Sequence, residues 1–600
     1  MEGIAFNGTE ALDFVFEAYS STSLYTALSG LLIIALYAIY QSLLPRPIPG
    51  IPHNKSALSS LFGDGPELTK SYLETGEVTL WLSEQIKKHK SPIYQAFIRP
   101  FGKPWVVIAD FQETQDICLR RTREFDRSPY WADIFAGPAP LGHIHFPSNR
   151  AWKGHRRLLQ DLMLPAFLNN VAAPAIHSNA LDMLRLWDAK SRIADGRPFE
   201  VEKDIFYVAL DAVNSFSFGE AFEHRAIAPQ LKELEAAGEE GVKALQAGTT
   251  SKDSPLHFPK AHIGDELEAV LTITDAVEGQ HSTLFPKFKW WRRQTFESSL
   301  RDAVQTRREL CKREIARAVS KLDARGDDDS WARSAIDLMV RREKLTAAKE
   351  GREPQYYTES MIDEVFVVIV AGHDTTSTTL VWGVKFLADN QDAQTKLRAT
   401  LQAAHPDAFA EKRNPTAAEV MGTTPVPYLE AVIEEIVRLS GTSDSIQRVA
   451  TMDTEVLGHL IPKGTELWML GMGPSMLEPC LKIEDNLRSA SSKKVSAEGR
   501  VRAWDESTAM AAFTPERWLQ IENGKEVFDA LSGPVLTFGL GTRGCYGKRL
   551  AYVEMRLLIT LMIWNYKLLT CPPELSGYEA IVGVTRKPRK AYARLEKVIL

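Results

Sequence analysis

The segment "TFGLGTRGCYGKRLAYVE", Thr537 to Glu554, decides how this chain is read. Glycines at 539, 541, 544 and 547 surround Cys545. Without a Cβ, glycine lets a backbone approach a flat object closely and aim N–H groups at a sulfur. The residues after Cys545 have a helical period, with leucine at 550, 557 and 558. The positive end of that helix would favour a thiolate beside it. This pattern suits a metal-bound thiolate and also a cysteine nucleophile, and the loop alone does not choose between them.

The rest of the chain narrows the choice. It has 600 residues, 44% of them apolar, and a net charge of −6. That allows a large buried core and lacks the basic footprint of a nucleic-acid binder. The cysteines at 118, 311, 480, 545 and 571 are odd in number and widely spaced, with no CxxC pair. A disulfide framework or zinc ribbon is therefore not expected, and a reducing compartment fits better.

Residues 24–44, "LYTALSGLLIIALYAIYQSLL", carry no charge. A stretch of about 20 such residues spans a bilayer as a helix. The segment before it is acidic and Arg46 and Lys55 follow it, so the positive-inside rule places residues 1–23 in the lumen and the remainder in the cytosol. Asn7-Gly8-Thr9 is a glycosylation sequon on the lumenal side. "PRPIPGIP", residues 45–52, reads as a stiff, extended hinge that sets the distance of a globular body from the membrane. A single large domain, 53–600, follows.

Within it "KPWVVIAD" (103–110) reads as a strand, and 296–322 as an amphipathic helix. The helical pattern over 358–390 is apolar almost all round at its centre, which predicts burial inside a large domain. Residues 245–259 and the serine-rich 484–500 read as a loop and an insert. The fold class expected is mainly α with small β-sheets.

"FGLGTRGCYG", Phe538 to Gly547, resembles the haem-binding loop of the cytochrome P450 family, Phe-x-x-Gly-x-Arg-x-Cys-x-Gly. Phe538, Gly541, Arg543, Cys545 and Gly547 fill its fixed positions, and Ala551 and Glu554 continue the match. Thr542 and Tyr546 depart from the usual aromatic and small aliphatic residues. Further matches follow in family order. Glu435 and Arg438 fit Glu-x-x-Arg, and Arg517 in "FTPERWL" fits the arginine that joins them. "AGHDTTS" (371–377) resembles the oxygen-activating helix motif, with Asp374 and Thr375 as its proton relay. Trp152 and Arg156 fit Trp-x-x-x-Arg, which holds a haem propionate in the family, and Arg448 stands where another propionate partner is frequent. "LGHLIPKGTEL" (457–467) continues an expected hairpin.

The resemblance implies a haem b domain with Cys545 as axial iron ligand, activating O2 to hydroxylate, epoxidise or desaturate a lipophilic small molecule. No dinucleotide fingerprint is fused to the chain, so electrons are expected from NADPH through a separate cytochrome P450 reductase, with cytochrome b5 as an optional second donor. Lys153, Arg157, Lys548 and Arg549 would offer that partner a basic face. The anchor then implies the endoplasmic reticulum membrane, and "LFPKFKWWRR" (284–293) a second contact with lipid or a core element. The tetrapeptide "PERW", the hinge and the insert resemble fungal specialised-metabolism members. A haem-thiolate gas or redox sensor, a non-oxygenase rearrangement or desaturation enzyme, and a silent membrane scaffold are the other classes in play. Substrate contacts are expected from Tyr130 to His145, the 361–376 helix face, and Ser443 to Gln447.

Overall fold

A computed structural model describes the chain except residues 1–7, 220, 248–250, 282, 284, 326–330, 424, 502 and 600; for residues 8–24 it describes the backbone alone. Asn7 of the sequon, Leu284 and part of the 245–259 loop lie outside the described residues.

Helix begins at Gly8 and runs unbroken to Leu43, ahead of the expected start of the anchor. None of its Tyr25–Leu43 portion is buried inside the protein, so this apolar surface is available to a membrane. The hinge is also held by the domain. Its second half is clamped to the domain: Gln95 donates to the carbonyls of Ile48 (2.9 Å) and Ile51 (2.8 Å) and accepts from the Ile48 N–H at 2.8 Å. Ile48 and Ile51 are buried. Prolines fix the strand-like path, and the buried amide pins it.

The domain is helical, with small sheets. Its largest sheet has the spatial order Ile93–Ala96, Trp105–Ile108, Glu466–Leu470, Ser445–Ala450 and Phe125–Arg127. The expected hairpin pairs Thr454–Val456 with His459–Ile461. The long helix read from 358–390 spans Glu359–Asp389 and is buried over most of its length. It packs against the helices Glu202–Phe218, Pro427–Ser440 and Lys548–Asn565. A helix apolar all round has no solvent face to keep, so it forms the spine of the core. The amphipathic pattern at 296–322 becomes the helix Ser298–Arg325.

The 484–500 insert is more ordered than a loop. Ala490–Ala497 is a helix docked on Phe111–Leu119. Arg488 pairs with Asp110 at 2.8 Å, and the hydroxyls of Ser489 and Ser491 donate to Asp116 at 2.6 and 2.7 Å. The serines that suggest a loop are the insert's attachment points.

Candidate active site

A cavity of about 330 Å³ lies between the Cys545 loop and the Glu359–Asp389 helix. Cys545 opens onto it. Its N–H donates to the Phe538 carbonyl at 2.7 Å, closing the loop on itself. Gly541 takes a positive φ of 70°, and a Cβ there would sit 2.2 Å from the Cys118 carbonyl oxygen, so only glycine fits. Gly547 caps the Lys548–Asn565 helix. Burial pushes the Cys545 thiol up; the N–H groups of Gly547 and Lys548 and the charges of Arg156 and Lys548 oppose it. The donors that would hold a thiolate are therefore in place.

One rim of the cavity is crowded with arginines. Arg156, Arg448 and Arg543 line it, as expected, and so does Arg127. Arg127 and Arg448 are register partners across two antiparallel strands, an arrangement in which like charges repel. None of the four forms an ion pair among the described residues. Arg543 gives one bond to the Phe146 carbonyl, while its Nη1 and the Nε of Arg127 are buried without a partner. Burial, then the Arg448 and Arg156 charges, lower Arg543 to about 10, against the pull of Asp126. Trp152 lies beneath Arg543, whose guanidinium carbon is 4.6 Å from a ring centre.

The departure at Tyr546 has a visible consequence. Arg156 stacks 3.8 Å above its ring, and the phenol donates to the Arg156 carbonyl. Thr542 is exposed.

The opposite wall is apolar, formed by Ile144, Val367, Val368, Ala371 and Ile446, with Trp131 and Gln447 linked by a 2.9 Å hydrogen bond. Thr375 lies on this wall and donates to the Ala371 carbonyl at 2.9 Å. The helix stays α-helical through this point, so the local distortion that this back-bond suggests is absent. Asp374 points elsewhere. It does not line the cavity; its carboxylate accepts from Lys587 (2.8 Å) and Thr585 (3.1 Å). Consecutive helix positions are about 100° apart, which separates the two faces.

Behind the loop, Glu435 accepts from Arg438 at 2.7 and 2.8 Å, from Arg517 at 3.1 Å, from the Trp518 indole at 2.9 Å and from the Thr514 N–H at 2.9 Å. Glu435 and Arg438 are fully buried. The three charges read from sequence thus form one network.

The sequence matches the cytochrome P450 family model over residues 71–473 and 511–593. The chain belongs to that family. It is 40% identical to the cytochrome P450 monooxygenase TRI13 of Fusarium sporotrichioides, across 95% of this chain and 98% of the relative. It is 36% identical to the monooxygenase GME11363 of Pestalotiopsis microspora (96% and 99%) and 36% to xilC of Penicillium crustosum (95% and 96%). This P450 is a monooxygenase of the fungal kind. The gap in the family match, 474–510, contains the docked insert.

Family membership implies a haem with a thiolate ligand, and the residues fit one. Cys545 faces the cavity, and two orphaned guanidinium nitrogens lie where two carboxylates would neutralise them. Two contributors escaped the sequence. Arg127 sits in no motif, and only strand pairing brings it beside Arg448. Glu364, one turn from the cavity wall, accepts from the side chains of His143 (2.7 Å) and His155 (2.6 Å), tying the 130–145 stretch to two helices. Burial alone would raise its pKa, but the two imidazoles lower it to about 2. The His at 155 inside "WKGHR" is the signal that could have found it.

Proposed function

We propose that this P450 oxidises a lipophilic small molecule of fungal specialised metabolism, using electrons from NADPH delivered by a separate cytochrome P450 reductase, with cytochrome b5 as an optional donor. The observation that carries the reading is the cavity itself: a cysteine and four unpaired arginines on one side, an apolar wall on the other. Haem b held at Cys545 would supply dioxygen activation, the chemistry favoured by a thiolate ligand. Phe538, Arg543 and the Gly547 N–H would hold the loop around the sulfur, and Trp152, Arg156, Arg448 and Arg127 would seat the propionates. Thr375 would place a hydroxyl at the wall where oxygen and substrate meet. The apolar residues around it exclude water and leave shape to select the substrate. Hydroxylation, epoxidation and desaturation are all within this chemistry.

The exposed Tyr25–Leu43 helix supports insertion in the endoplasmic reticulum membrane, with the domain cytosolic. Phe288, Trp291 and Phe296 on the helix Pro286–Phe296 are exposed, while Trp290 is buried, which supports contact of this face with lipid. Lys153, Arg157, Lys548 and Arg549 are exposed and suit an acidic reductase.

The test is the carbon monoxide difference spectrum of the reduced protein in microsomes. A Soret band at the long-wavelength position of thiolate ligation, lost in Cys545→Ala, is expected. A band at the short-wavelength position in the folded protein, or no haem signal, would overturn the reading.

A further inference from the structure

Outside the cavity wall lies a charge cluster that the proposed chemistry does not use. Glu278 ends the helix Asp265–Glu278, Asp374 comes from the central helix, and Thr585 and Lys587 from the turn and strand near the C-terminus. Two carboxylates face one lysine. Asp374 lies 2.8 Å from the Lys587 ammonium, and Glu278 lies 3.9 Å from it. Thr585 is part of the cavity wall, and its hydroxyl is 3.1 Å from Asp374 Oδ2 and 3.3 Å from Glu278 Oε1.

Hydrogen-bond accounting limits where the protons sit. One hydroxyl has one proton to give, and it cannot donate to two carboxylates at once. If Thr585 donates to Asp374, the contact to Glu278 is satisfied only when Glu278 itself carries a proton on Oε1 and donates to the threonine oxygen. Glu278 Oε2 already accepts from the Val584 N–H at 2.8 Å, which leaves Oε1 as the protonated atom. The closer lysine keeps Asp374 ionised. The chain runs from the Glu278 carboxyl through the Thr585 hydroxyl to the Asp374 carboxylate, and the two carboxyls also share a direct hydrogen bond, which again requires one of them to be protonated.

We propose that Glu278 is the proton store of the cavity's distal side, with Thr585 as the passage through the wall. The inference rests on the oxygenase reading only for what consumes the proton. In the step, the Thr585 hydroxyl turns from Asp374 to an acceptor in the cavity and releases its proton there, while the Glu278 O–H bond breaks and a new O–H bond forms at Thr585 Oγ1. No electron changes hands, and Glu278 is left as a carboxylate beside Lys587. Its side chain keeps 16% of its surface exposed, so solvent can restore the proton. Glu278 acts through Thr585 and is a positioning residue.

The groups around it agree. Burial, then the Asp374 charge, lifts Glu278 to about 8, while Lys587 helps hold Asp374 low against its burial. His373, neutral with its Nδ1 on the Ile369 carbonyl, flanks Asp374; Tyr72 faces Glu278, and Glu202 faces Lys587.

The test is infrared spectroscopy of the haem-loaded protein, beside the pH profile of oxygen consumption driven by NADPH and reductase. The wild-type minus Glu278→Gln difference spectrum, which cancels other buried carboxyls such as Glu554, should show a protonated-carboxyl C=O stretch at neutral pH that shifts in D2O and fades as pH passes about 8. That band should shift in Thr585→Val and return in Thr585→Ser. Oxygen consumption should fall through the same pH in wild type, and be flat and ~100-fold slower in Glu278→Gln and Thr585→Val, the low end for positioned proton transfer. A difference spectrum with no such band, or a Thr585→Val profile identical to wild type, overturns the proposal. If the carbon monoxide band fails instead, the oxygenase reading falls while the carboxyl band still reports on Glu278.

Discussion

Replacing Arg543 by methionine removes a charge and keeps the length of the side chain. With the pocket empty, that charge is a burden. Lowering the guanidinium from 12.5 to about 10 costs at most roughly 3 kcal/mol at 1.36 kcal/mol per pH unit, less where water screens its half-buried face. A base whose folded pKa is depressed destabilises the fold in full at pH below that value, and the penalty fades only as pH rises from the folded to the unfolded pKa. The penalty is therefore constant between pH 6 and 9, on the order of the neutral range. An anionic group on the arginine rim reverses the balance, because a hydrogen bond to a charged group contributes about 1.5–3 kcal/mol. At ~1.4 kcal/mol per factor of ten, Arg543→Met and Arg448→Met should each release haem ~10- to 100-fold faster. Relief of the repulsion among Arg127, Arg448 and Arg543 pulls the effect toward the lower bound. The assay is transfer of haem from the holoenzyme to excess apomyoglobin, followed at the Soret band. Arg549→Met, an exposed arginine on the outer face, serves as the control and should match wild type. Unchanged haem loss in both cavity variants would refute the argument that these guanidiniums wait for an anion.

Three further outcomes follow from the geometry. Gly541→Ala places a Cβ against the Cys118 carbonyl at a left-handed φ, a strain of roughly 1–2 kcal/mol before the clash is counted, so haem content and the long-wavelength carbon monoxide band should both fall. Glu435→Ala leaves Arg438 buried without its partner and should lower denaturant stability by about 3–5 kcal/mol, whereas Arg517→Ala, at the less buried edge of the network, should cost less. Thr375→Ala removes the hydroxyl on the cavity wall and should divert reducing equivalents from product to peroxide or water; equal coupling in mutant and wild type would remove Thr375 from the relay.

What the sequence made legible was local. Cys545 and Phe538 could be read because their roles depend on neighbours within ten residues, and the buried central helix because its apolar pattern repeats over 30; Gly541 could be read as a motif position, but its close approach to the Cys118 carbonyl could not. Glu435, Arg438 and Arg517 were legible as matches, but their closure with Trp518 and the Thr514 N–H needed tertiary contact. Arg127 was invisible: it gains meaning only when one strand pairs with another far along the chain. Asp374 and Thr375 are adjacent in sequence, yet the helical turn sends them to opposite sides of a wall. The hinge was legible only in part for a related reason. Proline spacing describes a stiff path, and says nothing about the Gln95 amide that clamps it.

Two charge mismatches face each other across one cavity. Buried charges persist when they are paired or put to use. On the Cys545 side four guanidiniums have no ion-pair partner among the described residues, an excess that calls for a dianion. On the far side two carboxylates share one lysine, an excess that calls for a proton. The first is built from the strands around Arg127 and Arg448 and from the cysteine loop; the second from helix ends and the turn at Thr585. They share no residue, so substitutions should act independently. Arg448→Met should speed haem loss and leave the Glu278 carboxyl band in place, and Glu278→Gln should erase the band at wild-type haem retention. If either substitution moves both readouts, the cavity is one coupled electrostatic unit, and the separation of ligand seat from proton supply is wrong.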